Sequence, residues 1–305
     1  MSVMTPAPTS SSIALQENFI SINGCRVRYL SAGTGPSLVF IHGLLGYAFS
    51  WRFNLPALAQ QFTVCALDLP GVGFSERTKS PQPGLVPLAQ DVLAFLRELH
   101  LSRAILVGSS HGGAIAMMAA ARAANEGISI PKLILVSPVN PWSRQGAGRA
   151  AFFGNPIGSM LLRCAGPVVR LTHPYFLRRM YGNPSRIADG TQEGYDRALR
   201  VPGTILHMLA RVRCWSSDLD EVGRLLPAIA NIPTLLIWGS ADRAVPLASA
   251  HPLMSKLNHA ELAVMDGAGH LPYEEMPQQF NELVLRFLRS DAAQSSPAEN
   301  SVAAK

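Results

Sequence analysis

A serine, an aspartate and a histidine stand just beyond three apolar runs of this 305-residue chain. Ser110 lies in Gly108-Ser109-Ser110-His111-Gly112-Gly113, after the run Ala104-Ile105-Leu106-Val107 and before a helix-like stretch from Ala114 to Arg122. Glycines at this spacing let the backbone turn a corner where a neighbouring Cβ would collide, and the strain lifts the serine hydroxyl clear of the strand. Asp242 sits in Trp238-Gly239-Ser240-Ala241-Asp242, where the run Thr234–Trp238 turns abruptly. His270 closes Met265-Asp266-Gly267-Ala268-Gly269-His270, after the run Glu261–Met265, and the small residues before it leave it free to swing toward a sheet edge. A serine hydroxyl is a poor nucleophile until a base takes its proton, and the base works best when a third group orients it. His270 and Asp242 supply those two roles.

Acyl transfer also needs backbone N–H groups aimed at the oxygen that becomes negative in the tetrahedral intermediate. The N–H of His111, next to the nucleophile, is one expected donor. The other comes from Ile41-His42-Gly43-Leu44-Leu45-Gly46, with Leu44 preferred and Leu45 as the second choice. His42 reads as a turn-stabilising residue and Ser109 as a small packing residue. Asp68 and Asp266 read as turn carboxylates. Glu274 and Glu275 follow Pro272 at a helix start, where acids favour the dipole. The four cysteines (Cys25, Cys65, Cys164 and Cys214) form no C-x-x-C pair, and none of the eight histidines sits in H-x-x-x-H or H-E-x-x-H. No metal or other cofactor is expected. Gly71 and Gly73 do not form G-x-G-x-x-G and there is no P-loop lysine, which disfavours nucleotide binding.

Elements able to position these residues alternate along the chain. Cys25–Leu30 alternates like an edge strand, and the runs Leu38–Ile41, Thr63–Leu67, Ala104–Val107 and Leu133–Val136 read as buried strands. The segment Pro87–Leu101 places Leu88, Val92, Phe95, Leu96 and Leu99 on one helical face, and Leu58–Gln61 is a shorter helical piece. Short apolar strands separated by helices mark an α/β protein with a mostly parallel sheet flanked by helices on both sides. After Val136 the rhythm stops until Thr234, then ends in a helix over Pro277–Arg289.

From about Asn18 to Leu288 the chain resembles the lid-bearing α/β-hydrolase superfamily. His42-Gly43, Asp68-Leu69-Pro70-Gly71-Val72-Gly73-Phe74-Ser75, the bend at Ser110, Trp238-Gly239 through Asp242 and Gly267-Ala268-Gly269-His270 carry the likeness. The resemblance implies the chain order serine, acid, histidine and a cap inserted after the sixth strand. Val72 stands where relatives often carry His, and His111 where Met, Leu or Gln is common. The expected organisation is a flexible tail over 1–17, a core over 18–139, a helical cap over 140–231, the rest of the core over 232–290 and a flexible tail over 291–305.

The interrupted segment carries Phe152, Phe153, Met160, Leu161, Leu162, Tyr175, Phe176, Leu177, Met180 and Tyr181, from which a roof over an apolar pocket is expected. It also carries eleven arginines between Arg144 and Arg213 against Asp189, Glu193 and Asp196, and so much of the formal charge of +6. A basic face of this kind suits solvated helices, steering of an anionic substrate or peripheral contact with an anionic membrane. Nucleic acid is not an expected partner, since no recognition module or interleaved stacking aromatics occur. The N-terminus lacks a signal-peptide pattern and no apolar run spans a membrane, so a cytoplasmic location is expected. These residues point to a serine hydrolase acting on a hydrophobic ester or thioester. A carbon–carbon hydrolase of ring-cleavage products is the nearest alternative, though Ser109 and Leu271 replace the Asn and Trp usual there. A non-catalytic binder on the same fold is the alternative from another class.

Overall fold

The apolar runs form the middle of one eight-stranded sheet. The computed structural model describes residues 13–143, 155, 158, 160 and 166–290. The strands are β1 (Gln16–Ile22), β2 (Cys25–Ala32), β3 (Ser37–Ile41), β4 (Thr63–Leu67), β5 (Ile105–Ser109), β6 (Leu133–Val136), β7 (Thr234–Gly239) and β8 (Ala260–Met265). Their order is β1-β2-β4-β3-β5-β6-β7-β8. Strands β3 to β8 run parallel, and β2 joins β4 antiparallel.

Two expectations are corrected here. Cys25–Leu30 is not an edge: β2 pairs on both sides, and the edge is β1. Strand β1 begins at Gln16, inside the stretch read as a tail, because a solvated edge strand keeps polar residues on its outer face and lacks a continuous apolar signal. Residues 1–12 and 291–305 of the expected tails lie outside the described residues.

Successive residues of a strand face opposite sides of a sheet. In β3, Val39 and Ile41 join a core with helices α1 (Val86–Glu98), α2 (His111–Ala123) and α6 (Trp215–Ile229). Leu38 and Phe40 face a second core with α7 (Pro277–Arg289), through Phe280, Val284 and Phe287. Trp51 stacks on Tyr273 there, with ring centroids 4.2 Å apart. Between β6 and β7 the described residues add α3 (Gly166–Met180), α4 (Thr191–Leu199), α5 (Thr204–Val212) and α6. A smaller cluster of Tyr47, Leu177, Tyr181, Tyr195 and Ala198 packs this connection onto the core.

Candidate active site

The three chemistry-bearing residues emerge from the same end of the parallel strands. Strand β5 ends at Ser109, and Ser110 follows with φ 55° and ψ −119°, so a non-glycine residue holds the left-handed side of backbone space. Such strain persists only where the surroundings enforce it. Here Ser110 donates its N–H to the Val136 carbonyl at 2.9 Å, and its own carbonyl accepts from Gly113 and Val139. A Cβ at Gly108 would lie 2.4 Å from the Gly112 carbonyl oxygen, so the corner closes only with glycine at this position.

Asp242 follows β7 and His270 follows β8. One carboxylate oxygen of Asp242 accepts the N–H groups of Ala244 (2.8 Å) and Val245 (2.9 Å). The other meets Nδ1 of His270 at 2.8 Å. Both side chains are nearly enclosed, at 0% and 7% exposure. Burial opposes the charge on Asp242. The His270 imidazole, the Val245 N–H and the Ser137 hydroxyl outweigh it and hold the carboxyl below its ordinary range. An ionised Asp242 therefore fixes the proton of His270 on Nδ1 and leaves Nε2 as a base. The indole N–H of Trp238 donates to the Val245 carbonyl at 2.9 Å and pins the same turn.

Ser110 and His270 line one cavity of about 280 Å³. The loop read as a second donor source borders it as well. A Cβ at Gly43 would lie 3.3 Å from Cβ of Ser110 and 3.9 Å from its hydroxyl oxygen, so this loop passes directly over the serine. The backbone N–H groups of Leu44 and His111 have no acceptor among the described residues. Leu45 also lines the cavity.

Other sequence readings can be placed. His42 is buried, faces the Gly43 carbonyl through Nδ1 at 2.7 Å and accepts the Leu69 N–H on Nε2 at 3.1 Å. Burial, with Arg211 nearby, lowers its pKa to about 3, so it is a neutral turn-holding residue. Asp68 is a buried turn carboxylate that accepts from Ala48, Phe74 and Arg28. Asp266 accepts from the Ser240 hydroxyl. The His111 ring lines the cavity, packs on Trp215 with centroids 4.9 Å apart and is driven by burial to a pKa of about 3.

The reading of Glu274 and Glu275 as first-turn acids misses their main contacts. Both are buried. Glu274 pairs with Arg52 at 2.9 Å and accepts the hydroxyls of Tyr181 and Tyr195. Glu275 accepts the N–H groups of Gly182, Asn183 and Gly269 and pairs with Arg186. Apart from Gly269, these partners (Arg52, Tyr195 on α4 and Tyr181, Gly182, Asn183 and Arg186 just beyond α3) lie too far away in sequence for local spacing to reveal them.

Of the expected roof residues, Phe176, Leu177 and Met180 line the cavity. Tyr181 is buried but does not line it, and Tyr175 and Met160 are exposed. Phe152, Phe153, Leu161 and Leu162 lie outside the described residues, as do Arg144, Arg149, Arg163, Cys164 and the side chain of Arg170. Among the remaining arginines, Arg186 is paired with Glu275, and Arg211 is buried, donating to the Pro70 carbonyl. A larger cleft of about 750 Å³ lies elsewhere, bordered by Asp91, Arg97, His207 and Arg211, and holds none of Ser110, Asp242 and His270. No group of side chains suited to a metal ion occurs among the described residues. No helix among them is long and apolar enough to cross a membrane.

Comparison with known proteins identifies the family and the fold. The profile of the alpha/beta hydrolase fold family matches residues 36–277. YugF of Bacillus subtilis, described as an uncharacterized hydrolase, is 29% identical over 255 residues, covering 83% of this chain and 90% of its own. The epoxide hydrolase CorEH superposes with a TM-score of 0.79 at 24% identity, over 91% of this chain and 99% of that one. A 2-hydroxy-6-oxo-6-phenylhexa-2,4-dienoate hydrolase from a Rhodococcus strain superposes with a TM-score of 0.73 at 21% identity, over 91% and 99%. With the family profile spanning most of the chain, the chain belongs to the alpha/beta hydrolase fold family.

Proposed function

We propose that this protein is a serine hydrolase that cleaves a carboxylic ester or thioester with a hydrophobic acyl or aromatic group. The observation that carries the reading is the 2.8 Å contact between Asp242 and Nδ1 of His270, with His270 and Ser110 lining one cavity. In this reading Oγ of Ser110 attacks the carbonyl carbon as Nε2 of His270 takes its proton. Asp242 stabilises the imidazolium that forms. The N–H groups of Leu44 and His111 hold the oxyanion, each worth roughly 2.7–4 kcal/mol in the transition state. His270 then returns the proton to the departing alcohol or thiol. A water molecule, deprotonated by His270, attacks the acyl-enzyme and releases the acid. The helices between β6 and β7 act as a cap that supplies the apolar walls, and no step calls for a cofactor.

The choice of bond rests on the nucleophile and its flanks. An epoxide hydrolase would use an aspartate where Ser110 stands, and Ser109 and Leu271 depart from the carbon–carbon hydrolase pattern. Covalent labelling with a fluorophosphonate tests the proposal, read by intact mass and peptide mapping. A single adduct on Ser110, absent in Ser110→Ala, is the expected result. A folded wild-type protein that takes up no probe would turn the reading toward a non-catalytic binder.

A further inference from the structure

The cavity holds a second histidine–aspartate pair. His173 on α3 meets Oδ1 of Asp196 on α4 through Nδ1 at 2.9 Å. Its side chain is 4% exposed and lines the same cavity as Ser110 and His270. The reaction described above gives it no part. Its second ring nitrogen, Nε2, bonds to nothing among the described residues. Tyr195 lies beside it, with ring centroids 6.1 Å apart, and much of the cavity lining is apolar, including Phe176, Leu177 and Met180 on the same helix.

The chemistry of the pair fixes what His173 offers. A carboxylate only accepts, so Asp196 holds the imidazole proton on Nδ1 and leaves a lone pair on Nε2. A buried acceptor in an apolar cavity costs free energy when it is stripped of water without a new donor. A ligand that brings a hydroxyl recovers that cost, and one that brings only methylenes does not. A ligand carboxylate would set acceptor against acceptor and bury a charge. The two imidazoles also belong to different parts of the molecule: His270 follows β8 of the sheet, and His173 belongs to the β6–β7 connection. On α3, His173 shares the cavity lining with Phe176, Leu177 and Met180, so the group it meets is assigned to the hydrophobic part of the substrate.

We propose that His173, oriented by Asp196, is a specificity-determining residue that accepts a hydrogen bond from a hydroxyl on the hydrophobic part of the substrate, so that the preferred substrates are hydroxylated aryl or alkyl esters. This rests on the reading of Ser110 as the nucleophile. A link that merely staples α3 to α4 would not care whether the substrate carries a hydroxyl.

The test is a matched set of p-nitrophenyl esters, a phenylalkanoate series of increasing length with its hydroxyphenyl and carboxyphenyl counterparts. It is assayed on wild type, His173→Leu, His173→Gln and Asp196→Asn. The readout is the ratio of kcat/KM for the hydroxylated over the plain ester at the best length. The wild type is expected to favour the hydroxylated ester about 10- to 100-fold. His173→Leu should bring the ratio near one. His173→Gln, whose side-chain carbonyl still accepts, should restore part of it, and Asp196→Asn should lower it by releasing the tautomer. A wild-type ratio near one, an unchanged ratio in His173→Leu or a preference for the carboxylate overturns the proposal. Should His173→Leu fail to fold, the wild-type and His173→Gln ratios decide. Fluorophosphonate labelling run in parallel separates the two readings: labelled Ser110 without discrimination removes only the role of His173. With no labelling of folded protein, calorimetric binding of the matched uncharged amides decides the role of His173 by the same ratio.

Discussion

At Asp242 burial and contact pull in opposite directions. Removing a carboxylate from water favours its neutral form, yet two N–H groups, a hydroxyl and the imidazole of His270 keep it ionised. Under the proposed mechanism only an ionised carboxylate both fixes the His270 tautomer and steadies the imidazolium. Asp242→Asn keeps the shape and loses both, so kcat for a p-nitrophenyl ester is expected to fall about 10⁴-fold with little change in KM. Steady-state kinetics on the purified variant, with circular dichroism to show that it folds, checks this. His173 is fixed by the same logic with a different partner. The sequence advertises Ser110, Asp242 and His270 because each follows a strand-like run and a set of small residues. It hides His173 and Asp196, since a lone histidine on one helix and an aspartate on the next carry no local signal of having met.

Among the elements, the parallel strands were legible because burial on both faces demands unbroken apolar runs: Thr63–Leu67 and Leu133–Val136 are the observed β4 and β6. The edge strand β1 and the separate helices of the β6–β7 connection were not. Their faces are half solvated, and long-range contacts decide where they begin. For the connection they include the short helix Pro272–Glu275, whose two glutamates reach Tyr181, Gly182, Asn183 and Tyr195 as well as Arg52 of the core. Glu274 is fully enclosed and Arg52 is 16% exposed, so removing the negative partner leaves a largely buried guanidinium without its counter-charge. Glu274→Gln, which preserves size and an acceptor, is expected to cost about 3 kcal/mol, a fall in Tm of roughly 6–10 °C. Differential scanning calorimetry on wild type and variant measures it.

Across the whole molecule the buried ionisable groups oppose one another. His42 and His111 have pKa values pushed down to about 3, so the stability they contribute is present at neutral pH and is lost as pH falls below the unfolded histidine value. Asp68, Asp91, Asp218 and Glu274 are shifted upward, burial being the first cause for each. For Asp218 the value is about 6. Its folded form holds a proton more tightly than the unfolded form, so its contribution is complete below the unfolded aspartate value and is lost as pH rises through about 6. Its carboxylate accepts the Leu85 N–H at 3.1 Å, a bond that an asparagine oxygen can keep. Asp218→Asn should therefore gain Tm relative to wild type as pH is raised from mildly acid to neutral, and thermal melts across that range would show the two curves diverging. A constant gap between them would remove the assignment.

One contact near the base links admission to readiness. The backbone N–H of His270 donates to the carbonyl of Met180, the last residue of α3, at 2.6 Å. A Cβ at Gly269 would lie 2.3 Å from that same oxygen, so the two backbones touch with no side chain between them. Should the end of α3 swing outward like a door, it would pull on the peptide that carries the imidazole. Under the proposed mechanism such a movement would displace the base, so substrate entry that leaves His270 in place is expected away from the Met180 end of α3.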